Sequence, residues 1–394
     1  MARRTHESGS RMNIEPFKIQ VPEAVLEDLK RRLERTRWPD EIPGSGWDYG
    51  ADLAYVKELV DYWRTTFDWR AQEAALNRMP QFIAKVAGST IHFVHERGKG
   101  PRPMPLVITH GWPGSFCEMQ KILPMLTDPA SHGGDAADAF DVVVPSLPGY
   151  GFSGHPQERG MNNNRVAALW QDLMVEGLGY HRFGAQGGDW GAMVSSRLGF
   201  DFPENILGVH INLVTGVPDY RAPGQRELSP AERKFLQQAR YWIESEGGYF
   251  HIQRTKPQTL SYGLNDSPAG LAAWIVEKFR AWSDCGGDVE SSFTKDELLT
   301  NITVYWVTQT IGSSARHYYE NRAGPWRFEP GQRVEVPCAV AVFPAEINRP
   351  PREWAERTHN VQRWTEMPRG GHFAAVEEPQ LLAEDIRAFF RPLR

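Results

Sequence analysis

Gly187-Gly188-Asp189-Trp190-Gly191 follows an apolar, strand-like run and precedes a helix-like run. In enzymes with a G-x-S-x-G sequence at such a position, small residues flank a sharp strand-to-helix turn, and the central side chain stands clear of the sheet. Here the central residue is Asp189, so the nucleophile would be a carboxylate. A carboxylate attacks a saturated carbon that bears a leaving group and becomes an alkyl ester, whereas a serine attacks acyl carbons. Taken alone, the motif is also compatible with an ordinary turn or a helix N-cap.

A second glycine-rich turn lies upstream of this motif. Residues 105–110 form a short apolar run that ends in Gly111-Trp112-Pro113-Gly114-Ser115, which predicts a buried strand turning sharply into a helix near 118–126. Such a turn offers backbone N–H groups beside the nucleophile. The N–H groups of Trp112 and Trp190 could together bind the oxyanion that develops when the ester is hydrolysed. A Gly/Pro turn around a buried tryptophan would give the same sequence.

A catalytic acid and a histidine are expected downstream of such a nucleophile. Residues 361–367 read as a strand, and His372 follows in a glycine-flanked loop. An earlier strand, 338–343, is followed by Pro344-Ala345-Glu346. Glu346 would orient the imidazole of His372 and stabilise its protonated form. Less well placed candidates for this acid are Glu377 and Asp385.

Strand and helix candidates alternate through the first part of the chain. The predicted strands are 90–95, 106–109, 141–145, 182–185 and 207–212. This alternation predicts a mostly parallel central sheet flanked by helices. From residue 215 to about 330 the pattern is helical and rich in Trp and Tyr, and strands resume at Val334. An inserted helical lid would explain the interruption.

Composition limits the class of protein and its partners. With 41% hydrophobic and 24% charged residues in 394, the chain has the composition of a soluble globular protein. Its net charge of −5 gives no reason to expect nucleic acid or an anionic membrane as a partner. Three cysteines without metal-ligand spacing favour a reducing, cytoplasmic setting. The N-terminal region has no apolar stretch of the length of a membrane span or signal peptide.

Taken together, the motifs resemble those of microsomal-type epoxide hydrolases, and the resemblance extends from about Ile14 to the C-terminus. The matching stretches are Phe67-Asp-Trp69, His110-Gly-Trp-Pro-Gly-Ser115, Pro148-Gly-Tyr-Gly-Phe-Ser153, Gly187-Gly-Asp-Trp-Gly191, Leu264-Asn-Asp-Ser-Pro268 and Arg369-Gly-Gly-His-Phe373. The resemblance implies an α/β-hydrolase fold with an inserted helical lid and an N-terminal helical meander. Because membrane-anchored members of that family carry an N-terminal anchor, a free, bacterial-type enzyme is expected here.

The resemblance also assigns catalytic roles. It implies that Asp189 is the nucleophile, that Glu346 and His372 complete the triad, and that two lid tyrosines activate the epoxide oxygen. Matching Glu246-Gly-Gly-Tyr249-Phe-His251 and Ser314-Ala-Arg-His-Tyr318-Tyr319-Glu-Asn321 to the family pattern gives Tyr249 and Tyr318. Tyr319 is the alternative to Tyr318, because the pattern has one tyrosine where this chain has two. No metal or organic cofactor is expected.

The predicted division of the chain has five parts. They are a disordered leader or cloning scar (1–13), a meander running into the first core strands (14–100), the first part of the hydrolase core (101–214), the helical lid (215–330) and the second part of the core (331–394). A small-molecule epoxide is the expected partner, and the protein is expected to be a monomer or a homodimer.

The predicted reaction converts an apolar aryl or alkyl epoxide and water into a vicinal diol. Asp189 would attack one ring carbon while the two phenols assist the departing oxygen. His372, supported by Glu346, would then draw a proton from the water that cleaves the ester.

Two alternatives to this function remain open at the level of sequence. A haloalkane dehalogenase would use the same aspartate and could bind halide through Trp112 and Trp190, but it has no need for paired lid tyrosines. A non-catalytic member of the fold could bind a small apolar ligand, although the complete set of triad residues argues against it.

Overall fold

The computed structural model describes residues 12–222, 224–324 and 326–394. The leader or cloning scar predicted over residues 1–13 therefore lies, apart from its last two residues, outside the described residues. Across these ranges, none of the helices combines the length and the apolar character needed to cross a membrane.

A mixed sheet forms the centre of the molecule. The strands of the described residues are β1 (Ile14–Phe17), β2 (Gln81–Val86), β3 (Ser89–Glu96), β4 (Met104–Thr109), β5 (Phe140–Pro145), β6 (Phe183–Gly187), β7 (Ile206–Ile211), β8 (Val217–Pro218), β9 (Arg327–Phe328), β10 (Val334–Val342) and β11 (His359–Glu366). Within the described chain, nine of them form one sheet in the order β1-β2-β3-β5-β4-β6-β7-β10-β11, and β8 pairs only with β9. From β5 to β11 the neighbours run parallel, whereas β1, β2, β3 and β5 pair antiparallel. The prediction of a mostly parallel sheet is confirmed.

Burial explains why these strands could be recognised. Parallel strands are covered by helices on both faces and therefore read as continuous apolar runs. Every residue of β5 and β6 is buried. In register, Leu106 of β4 lies between Val142 of β5 and Gly184 of β6. This central layer is a rigid base for the loops that follow its strands.

Helices cover both faces of the sheet and form a separate layer over one edge. The α-helices are α1 (Glu23–Glu34), α2 (Leu53–Thr65), α3 (Trp69–Leu76), α4 (Ile122–Thr127), α5 (Asn163–Asp172), α6 (Asp189–Asp201), α7 (Pro230–Glu246), α8 (Gly248–Thr255), α9 (Pro257–Leu264), α10 (Pro268–Trp282), α11 (Lys295–Thr308), α12 (Ile311–Glu320), α13 (Arg352–Ala355), α14 (Ala374–Glu377) and α15 (Pro379–Phe390). Shorter helical turns are Phe116–Gln120, Pro129–His132, Ala136–Asp138, Leu173–Gly177, Val289–Ser291 and Arg391–Leu393.

The helices α7 to α12 lie between β8 and β9, and the N-terminal helices pack against them. Their beginnings are encoded locally: Ser229 and Glu232 form a capping box at the start of α7. Helices α1 and α2 contact α10, and α2 and α3 contact α11. The Tyr62 hydroxyl donates to Asp296 over 2.9 Å across this contact. The N-terminal helices thus support the helical layer from outside.

Four strands of the parallel part end at the same edge of the sheet. The segments after β4, β6, β10 and β11 therefore meet there, under α8, α10 and α12. In open α/β sheets, ligands bind beyond the carboxyl ends of the strands. This edge is where a functional site is expected.

Candidate active site

Asp189 sits in a strained turn between β6 and α6. Its φ of 47° is in the left-handed region, which few non-glycine residues adopt and which surrounding structure must hold in place. Glycines make the turn possible: a Cβ at Gly191 would lie 1.8 Å from the Thr109 carbonyl oxygen, and one at Gly187 would lie 2.3 Å from the Gly191 carbonyl carbon. The flanking glycines thus allow the close backbone approach that presents the Asp189 carboxylate at the sheet edge.

Asp189, His372 and Glu346 form a continuous chain of contacts. The imidazole Nε2 of His372 lies 3.6 Å from Asp189 Oδ2, and its Nδ1 is 2.6 Å from Glu346 Oε1. The same Glu346 oxygen accepts the N–H of Ile347 over 2.7 Å. The side chains of His372 and Glu346 are 3% and 2% exposed, whereas that of Asp189 is 19% exposed. The structure therefore brings the three predicted triad residues together, with the aspartate nearest to solvent.

The surroundings of His372 favour its protonated form. Burial alone would lower the pKa of His372, but the charge of Glu346 and the hydrogen bonds to Asp189 and Glu346 outweigh it and hold the pKa well above its usual range. Asp189 contributes to this shift through its charge as well as its hydrogen bond. The basicity of the imidazole therefore depends on whether Asp189 is charged.

The turn after β4 faces the nucleophile through its backbone. The N–H of Trp112 donates to Asp189 Oδ1 over 2.8 Å. Trp190 lies in the first turn of α6, where N–H groups have no partner within the helix. Behind the turn, His110 Nε2 accepts the N–H of Leu147 over 3.1 Å, and burial lowers the pKa of His110 to about 4. His110 is thus neutral and braces the turn that carries the predicted oxyanion donors.

Tyr249 and Tyr318 meet above the nucleophile. The ring of Tyr249, on α8, lies 5.3 Å from that of Trp112 and almost parallel to it. The ring of Tyr318, on α12, contacts Trp190 edge-on at 4.8 Å. The two hydroxyls are in hydrogen-bonding contact. Burial, with a contribution from the charge of Asp189, raises the pKa of both phenols well above the usual value of 10.0, so both are neutral donors at neutral pH.

Two family models match the chain, one described as the epoxide hydrolase N terminus over residues 14–119 and one as the alpha/beta hydrolase fold over residues 104–255. A relative from Stigmatella aurantiaca, provisionally named an epoxide hydrolase, is 48% identical over 97% of this chain and 86% of its own. Epoxide hydrolase 1 of Oryctolagus cuniculus is 39% identical, over 96% and 88%. The chain belongs to the epoxide hydrolase family. The crystal structure of juvenile hormone epoxide hydrolase from the silkworm Bombyx mori superposes with a TM-score of 0.87 at 31% identity, covering 97% of this chain and 95% of that one.

Membership of the epoxide hydrolase family confirms two predictions from the sequence, the family resemblance and the α/β-hydrolase fold. It also confirms the prediction of a hydrolase. The alternatives of a haloalkane dehalogenase and of a non-catalytic ligand-binding protein receive no support from these relatives.

Geometry separates the two adjacent tyrosines of this epoxide hydrolase. Tyr318 is buried and faces Trp112, Trp190 and Tyr249. Tyr319 is half-buried on another side of α12, where the guanidinium of Arg322 lies 3.8 Å from its ring centre. Of the two, the structure brings only Tyr318 to the predicted triad.

The rival acids have other partners. Asp385 accepts hydrogen bonds from His210, Thr365 and Arg363. Glu377 accepts the N–H groups of Phe373 and Asp284. Neither forms the hydrogen bond to His372 that Glu346 forms.

Sequence analysis missed two residues at this site, Glu118 and Trp282. The Trp282 carbonyl, at the end of α10, accepts the His372 N–H over 2.9 Å, and the indole contacts the imidazole edge-on at 5.2 Å. One residue pair farther along, the carboxylate of Asp284 accepts the Gly370 N–H over 2.9 Å. The loop that carries the histidine is thus bonded to the helical layer above it.

Glu118 lies in the turn after the predicted oxyanion donors. It lines a cavity beside Asp189 and His372, and the space open to a water molecule there is about 20 Å³. Burial, with the charge of Asp189 added and that of His372 opposing, raises the pKa of Glu118 to about 8. The spacing Ser115-x-x-Glu118 suggests a helix cap and could have drawn attention to this residue. In the described parts of the chain, no group of three or more His, Cys, Asp or Glu side chains is arranged to hold a metal ion.

Proposed function

We propose that this epoxide hydrolase converts an apolar epoxide and water into a vicinal diol through a covalent ester on Asp189. The observation that carries this proposal is the placement of two neutral phenols, Tyr249 and Tyr318, above a carboxylate that contacts a histidine paired with Glu346. A carboxylate can attack one epoxide carbon only if the departing oxygen receives a hydrogen bond or proton, because an alkoxide is a poor leaving group.

In the first step, an Asp189 oxygen forms a bond to an epoxide carbon as the ring C–O bond breaks. The released oxygen takes a proton from the tyrosine pair, which supplies donors where negative charge develops. The Trp112 N–H, which donates to Asp189 Oδ1, holds the carboxylate in position for attack. The products of this step are a hydroxyalkyl ester and one tyrosinate.

In the second step, His372 takes a proton from water, and the water oxygen attacks the ester carbonyl carbon. Esterification removes the charge of Asp189, which is one of the groups that raise the pKa of His372. The imidazole therefore loses part of its proton affinity and can act as a base once the ester exists. The N–H groups of Trp112 and Trp190 stabilise the oxyanion, and the proton released on ester cleavage restores the tyrosine.

The lining of the site supports an apolar substrate. Aromatic rings from the helical layer and from both glycine-rich turns surround the Asp189 carboxylate, and they are Trp112, Trp190, Tyr249, Trp282 and Tyr318. Such rings bind aryl or alkyl groups through buried apolar area, while the few polar atoms fix orientation. In this proposal residues 215–330 act as the lid, residues 14–100 as the meander that supports it, and residues 101–214 and 331–394 as the core.

Location and assembly belong to the same proposal. The protein is placed in the cytoplasm as a monomer or homodimer. Support for a reducing compartment comes from Cys117, Cys285 and Cys338, which are all free thiols.

The dehalogenase alternative has one supporting observation. The indole Nε1 atoms of Trp112 and Trp190 are buried and have no hydrogen-bond partner among the described residues, so they could donate to a halide. Incubating the parent and Asp189→Ala with racemic styrene oxide, and separately with 1-chlorobutane, distinguishes the two reactions. Diol from the parent but not from the variant is expected. Chloride release without diol would replace the proposed reaction with dehalogenation.

A further inference from the structure

A small cavity adjoins the predicted triad on the side away from the lid tyrosines. Its lining includes Gly111, Asp189 and His372 from the site, and Glu118, Gln186 and Asn212 from below it. The space of about 20 Å³ exceeds the roughly 10–15 Å³ that one water molecule needs. A water there would also need two or more polar partners, which this lining supplies. The cavity is therefore sized and lined for a single water molecule.

Glu118 is held against the turn that carries the predicted oxyanion donors. A Cβ at Gly114 would lie 1.5 Å from Glu118 Oε1, so the carboxyl group rests directly on this glycine. The carboxyl accepts the N–H of Ser115. A carboxyl group has about four lone-pair positions, so this bond leaves it free to accept another hydrogen from the cavity. Gln186 and Asn212 are instead bonded to each other over 3.1 Å.

We propose that Glu118 is a further catalytic residue, which binds and orients the water that hydrolyses the Asp189 ester. This inference rests on the proposed function. One hydrogen of the water goes to His372 Nε2 and the other is accepted by the Glu118 carbonyl oxygen, so the remaining lone pair faces the ester carbonyl carbon. As the new C–O bond forms, the O–H bond to the first hydrogen breaks and the ester C–O bond to the diol is cleaved.

Glu118 acts here as a neutral acid and not as a second base. At pH 7 it is protonated, because burial raises its pKa to about 8. A neutral carboxyl can accept a hydrogen bond from water without competing with His372 for the proton. Glutamine, which carries the same carbonyl acceptor and no charge, should therefore replace it, whereas alanine should not.

The test separates the two chemical steps in single turnovers with enzyme in excess over styrene oxide. Rapid quenching is followed by intact-protein mass spectrometry for the alkylated enzyme and by chromatography for the diol. In Glu118→Ala, alkylation should keep the parent rate while ester hydrolysis slows about 10- to 100-fold, the loss expected when a reacting molecule is no longer oriented. In the steady state kcat and KM should fall together, with kcat/KM unchanged. Glu118→Gln should behave like the parent.

A control variant addresses the simpler role of Glu118 as a cap. Glu297→Ala removes the glutamate of the capping box that begins α11 and should leave both steps unchanged. Glu118→Met, which has similar volume but no oxygen acceptor, takes the place of the alanine variant if melting curves show that the latter is unfolded. Equal slowing of both steps, unchanged hydrolysis in Glu118→Ala or Glu118→Met, or a glutamine variant as slow as alanine would each overturn the assignment.

His372→Gln distinguishes failure of this inference from failure of the proposed function. This variant lacks the base and should accumulate the ester whatever Glu118 does. If it forms no alkylated protein, the covalent mechanism itself is wrong, and the role of Glu118 falls with it.

Discussion

Replacing Tyr318 by phenylalanine should slow epoxide ring opening and leave the fold intact. The variant removes one of two hydroxyls that lie in contact above Asp189, while the ring keeps its edge-on contact with Trp190. A hydrogen bond to a charged group contributes about 1.5–3 kcal/mol, and each 1.36 kcal/mol of barrier is tenfold in rate, so kcat/KM should fall about 10- to 150-fold. Tyr249→Phe should have an effect of the same size.

The neighbouring residue provides a matched control. Tyr319→Phe makes the same chemical change one position along α12, where the ring faces Arg322, and should leave kcat/KM unchanged. Single-turnover alkylation of the three variants and the parent by styrene oxide gives the ring-opening rate directly. If Tyr319→Phe were the slow variant, or if Phe variants of both Tyr249 and Tyr318 opened the ring at the parent rate, the assignment of the phenols would be refuted.

Three further predictions concern the base, its acid and the nucleophile turn. His372→Gln should form the ester and release no diol, with the added mass of one substrate on the intact protein as the readout. The pKa of His372 is raised in the folded state, so its stabilising effect is complete below the ordinary value of 6.5 and is lost as pH rises through the folded-state pKa. Glu346→Gln removes the largest source of that rise; its loss of Tm relative to the parent should therefore shrink as pH increases, and a loss that grows with pH would contradict the pairing. Gly191→Ala should cost at least about 3 kcal/mol in urea unfolding because the obstacle is a backbone oxygen, whereas Gly263→Ala, where a Cβ meets nothing within 4 Å, should be neutral or stabilising.

The strands could be predicted because they are buried on both faces. Every predicted end of β3 to β7 lies within two residues of the observed one. Strands β1 and β2 were missed, since β1 is short and polar residues interrupt the apolar pattern of β2. The helix predicted near 118–126 was wrong in form: it is a 3-10 turn, Phe116–Gln120, followed by α4. Pro124 has no N–H to donate to the carbonyl four residues earlier, which prevents one continuous α-helix there.

The triad candidates could be found from chain order and turn chemistry, but tertiary contacts could not. The choice between Tyr318 and Tyr319 needs the rotation of a helix, because adjacent residues point about 100° apart around it. The contact of His372 with the Trp282 carbonyl involves a main-chain atom, which no side-chain pattern reveals. Glu118 matches an ordinary capping pattern in sequence, and only its position beside the cavity distinguishes it. The catalytic roles themselves stay predictions.

The bonds between the histidine loop and the end of α10 limit how this enzyme can be redesigned. Because the Trp282 carbonyl and the Asp284 carboxylate hold His372 and Gly370, the segment that shapes the pocket also sets the aim of the base. Grafting helices from a relative to change substrate preference would therefore disturb the timing of ester breakdown unless residues 282–284 were kept with their own histidine loop. Pocket and base are best exchanged as one cassette.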